Sequence, residues 1–113
     1  MVALEYCVDV VTFRGHPNVR AEHPTTLEVT KDEFLTPRGD CIVGIAGSKG
    51  ASELSGCVRD MLRGGGTLLA IIVTEDGLFD HLVARGSGGM TFDNDRKIII
   101  RRSGYVDGST VGV

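Results

Sequence analysis

Tryptophan is missing from this chain and aromatic residues make up only 5% of it, so its core has to be built from aliphatic side chains. Long apolar runs are missing too. The longest, Leu68 to Val73 (LLAIIV), has six residues, where a membrane-spanning helix needs about 20, so no membrane association is expected. Neither sign of charge dominates: 12 Lys and Arg face 15 Asp and Glu for a net charge of −3. That balance supplies no basic footprint, and a nucleic-acid partner is not expected. The three cysteines, Cys7, Cys41 and Cys57, are an odd number at wide spacing without a CxxC pair. They indicate neither a disulfide framework nor a zinc ribbon, and reduced thiols in a cytoplasmic protein are the simpler expectation. Glu5 and Asp9 interrupt an N-terminus that has no basic stretch, so no signal peptide is expected.

What the chain does have is glycine, 16 in 113 residues, and an internal repeat. Its length suits one domain, residues 1–113, and its 42% apolar content suits one modest core. Displaced by 71 positions, Asp9 falls on Asp80, Arg14-Gly15 on Arg85-Gly86, Leu27 and Val29 on Ile98 and Ile100, Lys31 on Arg102, and Phe34-Leu35 on Tyr105-Val106. After a three-residue gap, Val43-Gly44-Ile45 falls on Val111-Gly112-Val113. The first copy covers about 4–74 and an incomplete second about 77–113. His16, Asn18 and His23 are not echoed; their counterparts are Ser87, Gly89 and Asn94. A duplicated scaffold with polar groups in one copy points to a site made by divergence.

Periodicity sketches the elements. Residues 4–13 (LEYCVDVVTF) are β-branched and aromatic on both alternating faces, as in a strand covered on two sides. Residues 14–24 carry Gly, two Pro and Asn and form a loop or arm. Thr26 to Lys31 alternates as a half-buried strand, Leu27 and Val29 inward and Thr26, Glu28 and Thr30 outward. Residues 36–40 form a turn, and Cys41 to Ala46 reads as a strand. Leu54, Cys57, Val58, Met61 and Leu62 make one apolar helical stripe over 51–63, which Gly64-Gly65-Gly66 ends. Thr67 to Thr74 reads as a central strand. Further strands are expected at 77–85, 96–101 and within 106–113, and the second copy stops before any helix of its own. Ile98, Ile100 and Val111 are therefore expected to lack cover, and self-association into a homodimer or larger homo-oligomer would supply it.

The segments Phe13-Arg14-Gly15-His16-Pro17-Asn18-Val19, His23-Pro24-Thr25-Thr26 and Leu35-Thr36-Pro37-Arg38-Gly39-Asp40-Cys41-Ile42-Val43-Gly44 resemble a small archaeal family, the domain of unknown function numbered 371. The resemblance is close over residues 6–63 and looser beyond. It implies an archaeal, intracellular protein whose relatives continue past the position of Val113 into a charged helix. Arg38-Gly39-Asp40-Cys41-Ile42 also looks like the Gly-Asp turn of barrels built from duplicated strand-rich units. Together with the repeat, this makes a mostly β, α+β fold the expectation: a pseudo-twofold barrel with one amphipathic helix at 51–63, or alternatively an open two-layer α+β sandwich.

The candidate chemistry gathers on the arm and the turn. His16 and His23 could form a general acid/base pair or ligate a divalent metal, with Glu28, Asp40 or Cys41 completing the site, or they could simply bond their own turns. Asn18, Thr25, Arg38, Asp40, Ser48 and Lys49 are the candidate ligand-binding groups. Arg38 offers a guanidinium to a carboxylate or phosphate, while Asp40 beside it equally suits a turn cap. Ser48 and Lys49 stand before the helix in a possible phosphate cradle, although the Walker order is absent. Asp9 and Asp80 could approach a pseudo-twofold axis and share a proton, or be exposed separately. The run Arg96 to Arg102 could touch RNA but reads better as solvated charges guarding a strand. A small site for a phosphorylated or carboxylated ligand is the leading functional expectation. A non-catalytic assembly module and a metal-dependent or histidine-based hydrolase are the alternatives, and no cofactor is identified.

Overall fold

The computed structural model describes residues 6–19, 25–35 and 41–113. In chain order the elements are β1 (Thr26–Thr30), β2 (Ile42–Gly44), a 3-10 turn (Ala51–Glu53), α1 (Gly56–Arg63), β3 (Thr67–Val73), β4 (Phe79–Arg85), β5 (Lys97–Arg101) and β6 (Thr110–Gly112). They make an α+β fold, mostly β. Four strands lie in the order β2-β1-β5-β6, and β3 and β4 form a separate two-stranded hairpin.

The four-stranded sheet is organised around its middle. β1 and β5 run antiparallel with Glu28 opposite Ile99. β2 lies parallel to β1 and β6 parallel to β5, and each of these pairings slips once, between Glu28 and Val29 on one side and between Ile99 and Ile100 on the other. The central pair is closed by a backbone bond at each end: the Lys31 N–H donates to the Arg96 carbonyl at 2.9 Å, and the Arg102 N–H to the Thr25 carbonyl at 2.8 Å. Outside it, Arg14 and Ile45 exchange two backbone bonds, as do Arg85 and Val113. The expected closed barrel is not found among the described residues. The outer strands β2 and β6 have three residues each and pair only inward, and the hairpin joins the sheet through Arg85 and Val113 at its base. Short outer strands limit the exposed backbone edge without closing the sheet.

The core lies where α1 covers the second half of the sheet. Ala51, Leu54, Leu62, Met90, Phe92 and Val111 are buried together, and Val11, Val58, Leu68, Ile98 and Ile100 pack against them. Ile98, Ile100 and Val111 are therefore not the uncovered face the sequence suggested, because the 3-10 turn and α1 lie against β5 and β6. A helix from the first half shields strands of the second. Arg63 at the end of α1 fixes the glycine-rich loop over this core, with Nε on the Met90 carbonyl at 3.4 Å and its guanidinium 5.1 Å from the Phe92 ring.

Several local expectations change. Residues 6–13 form no strand; they are an arm held by side chains, Thr12 through Ser48 and Asp9 through Lys49 and Ser55, and by a backbone bond from the Ser48 N–H to the Thr12 carbonyl. The helical stripe is divided, because Leu54 adopts extended backbone and Ser55 then caps α1, its Oγ accepting from the Val58 N–H at 3.3 Å. Glu28, Val29 and Thr30 are all buried, so β1 is covered on both faces rather than one. β3 is not central: one of its faces is exposed along its whole length, since the hairpin rises from the sheet and only its other face reaches the core. The molecule measures 48 × 31 × 24 Å.

Cys7 and Cys57 are joined in a disulfide, with Cα atoms 5.9 Å apart. This corrects the expectation of reduced thiols: wide spacing in sequence says nothing about proximity once the arm lies along α1. The bond does not assign a compartment, because intracellular proteins of some hyperthermophiles also contain disulfides.

Two outcomes follow for stability. The disulfide spans 50 positions, so Cys57→Ser should lower the unfolding free energy by about 2–4 kcal/mol, measured by denaturant melts; reductant should lower the parent to the same value and leave the variant unchanged. Gly86 ends β4 against α1, and a methyl group there would collide with the Leu62 backbone carbonyl, which cannot move without distorting the helix. Gly86→Ala should cost roughly 1–3 kcal/mol or more, whereas Gly15→Ala, which meets no atom within 4 Å, should be near neutral in the same melts.

Candidate functional site

The described arm residues are held in local bonds. His16 Nδ1 accepts from the Asn18 N–H at 3.0 Å, and the Val19 N–H closes the turn on the His16 carbonyl at 2.9 Å. A neutral His16 therefore carries its proton on Nε2. Asn18 Nδ2 donates to the carbonyl of buried Leu35 at 2.7 Å, which ties the arm to the segment preceding residues 36–40. Ser48 Oγ accepts from the Thr12 N–H at 2.9 Å, and Lys49 is paired with Asp9. The backbone N–H groups of Ala46, Gly47 and Ser48 donate to Asp32, Thr30 and Thr12, and that of Gly50 to the Glu53 carboxylate. His23, Arg38 and Asp40 lie outside the described residues.

Asp9 and Asp80 have separate surroundings. Burial pushes the Asp9 carboxyl up, but the Lys49 ammonium and the N–H groups of Ser55 and Val10 outweigh it and hold the group below its ordinary value. Asp80, on the exposed hairpin, accepts from the neighbouring His81 N–H at 2.8 Å.

A second polar group lies on the sheet itself. The β1–β5 register places Thr26, Glu28 and Thr30 on one face with Arg101, Ile99 and Lys97. Glu28 is 7% exposed. The Cys41 thiol lies 3.9 Å from its Oε1, and Lys97 Nζ is 4.0 Å from its Oε2. Burial raises the Glu28 pKa, and the attraction of Lys97 and Arg101 only partly offsets the rise. Arg101 is committed elsewhere: its Nη2 donates to Asp107 at 3.1 Å, its Nε to Thr110 at 3.2 Å, and it stacks 5.0 Å from the Tyr105 ring. At Asp107, burial pushes the carboxyl up, yet bonds from Ser109 and Thr110 and the Arg101 charge hold it below the ordinary value. Glu28 and Cys41, both named from sequence as possible partners in a site, are thus brought together. Among the described residues, no three His, Cys, Asp or Glu side chains are grouped so as to hold a metal.

A groove of about 450 Å³ lies between the sheet and the base of the hairpin. Leu27, Leu82, Ala84 and Ile100 supply apolar walls, and Thr25, Thr26, Arg101 and Arg102 supply polar groups. Of the residues singled out from sequence, Thr25 lies here. The two arginines were read as strand guards, and the signal that marks them is their position at the end of an isoleucine run. Arg96, in the same run, pairs with Asp32 at 2.7 Å.

Fold and recess together describe a small α+β domain with an arginine-ended groove beside its central strands. The profile of the family described as Domain of unknown function (DUF371) matches residues 11–113, and the chain belongs to that family. It is similar to uncharacterized protein MJ0206 of the archaeon Methanocaldococcus jannaschii, at 34% identity over 97 residues that cover 86% of this chain and 71% of the relative. Among the described residues no helix is long and apolar enough to cross a membrane.

Glu28 generates a pH test. Its folded pKa is raised above the ordinary value, so the fold prefers the protonated form; the contribution is fully present below the unfolded pKa and is lost as pH rises through the folded one. Glu28→Gln should therefore raise the melting temperature relative to the parent at neutral pH, with the difference vanishing near about pH 4. Thermal melts across that range would show the reverse trend if the carboxylate were stabilising.

Proposed function

We propose that the chain is a duplicated unit that binds a small carboxylated or phosphorylated ligand in the groove ending at Arg101 and Arg102. The duplication is supported by bonding as well as by sequence. Glu28 lies opposite Ile99, its own counterpart 71 positions on, and the neighbouring pairs are reciprocal about that point. The two parallel pairings slip at corresponding residues, and the Arg14–Ile45 exchange corresponds to that of Arg85 with Val113.

The observation that carries the ligand reading is the contrast between Lys31 and its counterpart Arg102. Lys31 is paired with the Glu53 carboxylate on the 3-10 turn. Arg102 is exposed and lines a groove walled by apolar side chains, and no side-chain bond from it to another described residue is present. An anion there would take the place that Glu53 occupies in the first half. A guanidinium binds carboxylate or phosphate through two parallel bonds.

Titration with short mono- and dicarboxylates and with inorganic phosphate, followed by thermal shift, tests the reading, because a ligand that binds only the native state raises its stability. Arg102→Ala should weaken any binding by about 10–100-fold, while His16→Ala should leave it unchanged. Loss with His16→Ala and retention with Arg102→Ala would move the ligand to the arm and turn.

A further inference from the structure

The hairpin presents a continuous exposed apolar face. The β3–β4 register sets Leu69 beside Val83, Ile71 beside His81 and Val73 beside Phe79 on one side of the ribbon. The five apolar residues of that set are 57–74% exposed. The opposite side, through Leu68 and Ala84, packs towards the core at the base of the hairpin. The outward face is bounded by opposite charges, Arg85 at the base and Glu75 and Asp76 in the turn at the tip.

We propose that this face is the contact of a twofold dimer of the chain, with two hairpins packed face to face and antiparallel. Three observations favour a second copy over another occupant. The five side chains offer on the order of 600 Å² per chain, so a twofold pair removes about 1,200 Å², the lower end of what specific interfaces bury. The face is uncharged except for its two ends, and antiparallel packing sets the acidic tip of each hairpin over Arg85 of the other, whereas parallel packing would oppose like charges. His81, the one polar side chain in the middle, falls near the twofold axis, where two neutral imidazoles can bond as donor and acceptor. The proposal relocates the self-association expected from sequence: it uses the hairpin, not Ile98, Ile100 and Val111, and it does not depend on a ligand in the groove.

Sedimentation velocity of the whole chain across the micromolar range tests it. The parent should be dimeric, and Ile71→Lys should weaken association at least about tenfold while leaving the circular dichroism spectrum unchanged. Val83→Lys, on the neighbouring strand, is the second variant should the first fail to fold. Arg85→Glu should also weaken the dimer, and adding Glu75→Arg should restore it. A parent that is monomeric at every concentration overturns the proposal, whether the face then serves a different partner or further residues of the chain. A dimer indifferent to both lysine variants overturns it as well, and indifference to Arg85→Glu overturns the antiparallel arrangement.

Discussion

The antiparallel contact of β1 with β5 is the constraint on which the other elements depend. Each strand brings its own parallel neighbour, and the two outermost strands have no other strand partner in the sheet. Because Glu28 faces Ile99 across that contact, one residue of register would move every side chain on β1 to the opposite face. Leu27 and Val29 would leave the face they share with Ile100 and Ile98, and Glu28 would take their place against those apolar groups. In the observed register Glu28 is accompanied on its own face by Lys97 at 4.0 Å.

The cover over the second half of the sheet comes from the first. α1 and the 3-10 turn shield β5 and β6, the disulfide holds the arm against α1, and the Asp9 carboxylate reaches both Lys49 and the N–H of Ser55 at the helix cap. The polar residues around the helix start are therefore mechanical connections between arm, turn and helix.

Much of the fold was legible because it rests on period and local chemistry. Thr26 to Thr30, Thr67 to Val73 and Lys97 to Arg101 alternate or are continuously apolar, and each is a strand; the glycines after Arg63 end the helix where the chain needs freedom, Gly65 adopting a φ of +84°. What was not legible depended on distance. Residues 6–13 have strand composition, but their bonds go to Ser48, Lys49 and Ser55 in a loop and a helix cap, and regular pairing is limited to the bridge of Arg14 with Ile45. The Thr67 to Val73 run reads as buried because it is apolar, yet its hairpin leaves the sheet and one face goes to solvent. The bond between Cys7 and Cys57 was hidden by the 50 positions between them. For the candidate site, Glu28 and Cys41 were visible as residue types and their proximity was not, while Arg101 and Arg102 had the appearance of ordinary strand-end charges.

The hairpin and the central strands also differ in how soon they can form. β3 and β4 are joined by a five-residue connection, and a ribbon of that kind closes in about 1–10 μs. The β1–β5 contact must bring together Glu28 and Ile99, 71 positions apart, and pairing across such a separation loses more chain entropy before it returns any burial. The apolar ribbon can therefore close before the sheet that will carry it has assembled. Until the sheet assembles, both faces of such a ribbon are open to water, and apolar strands exposed in that way are prone to aggregate.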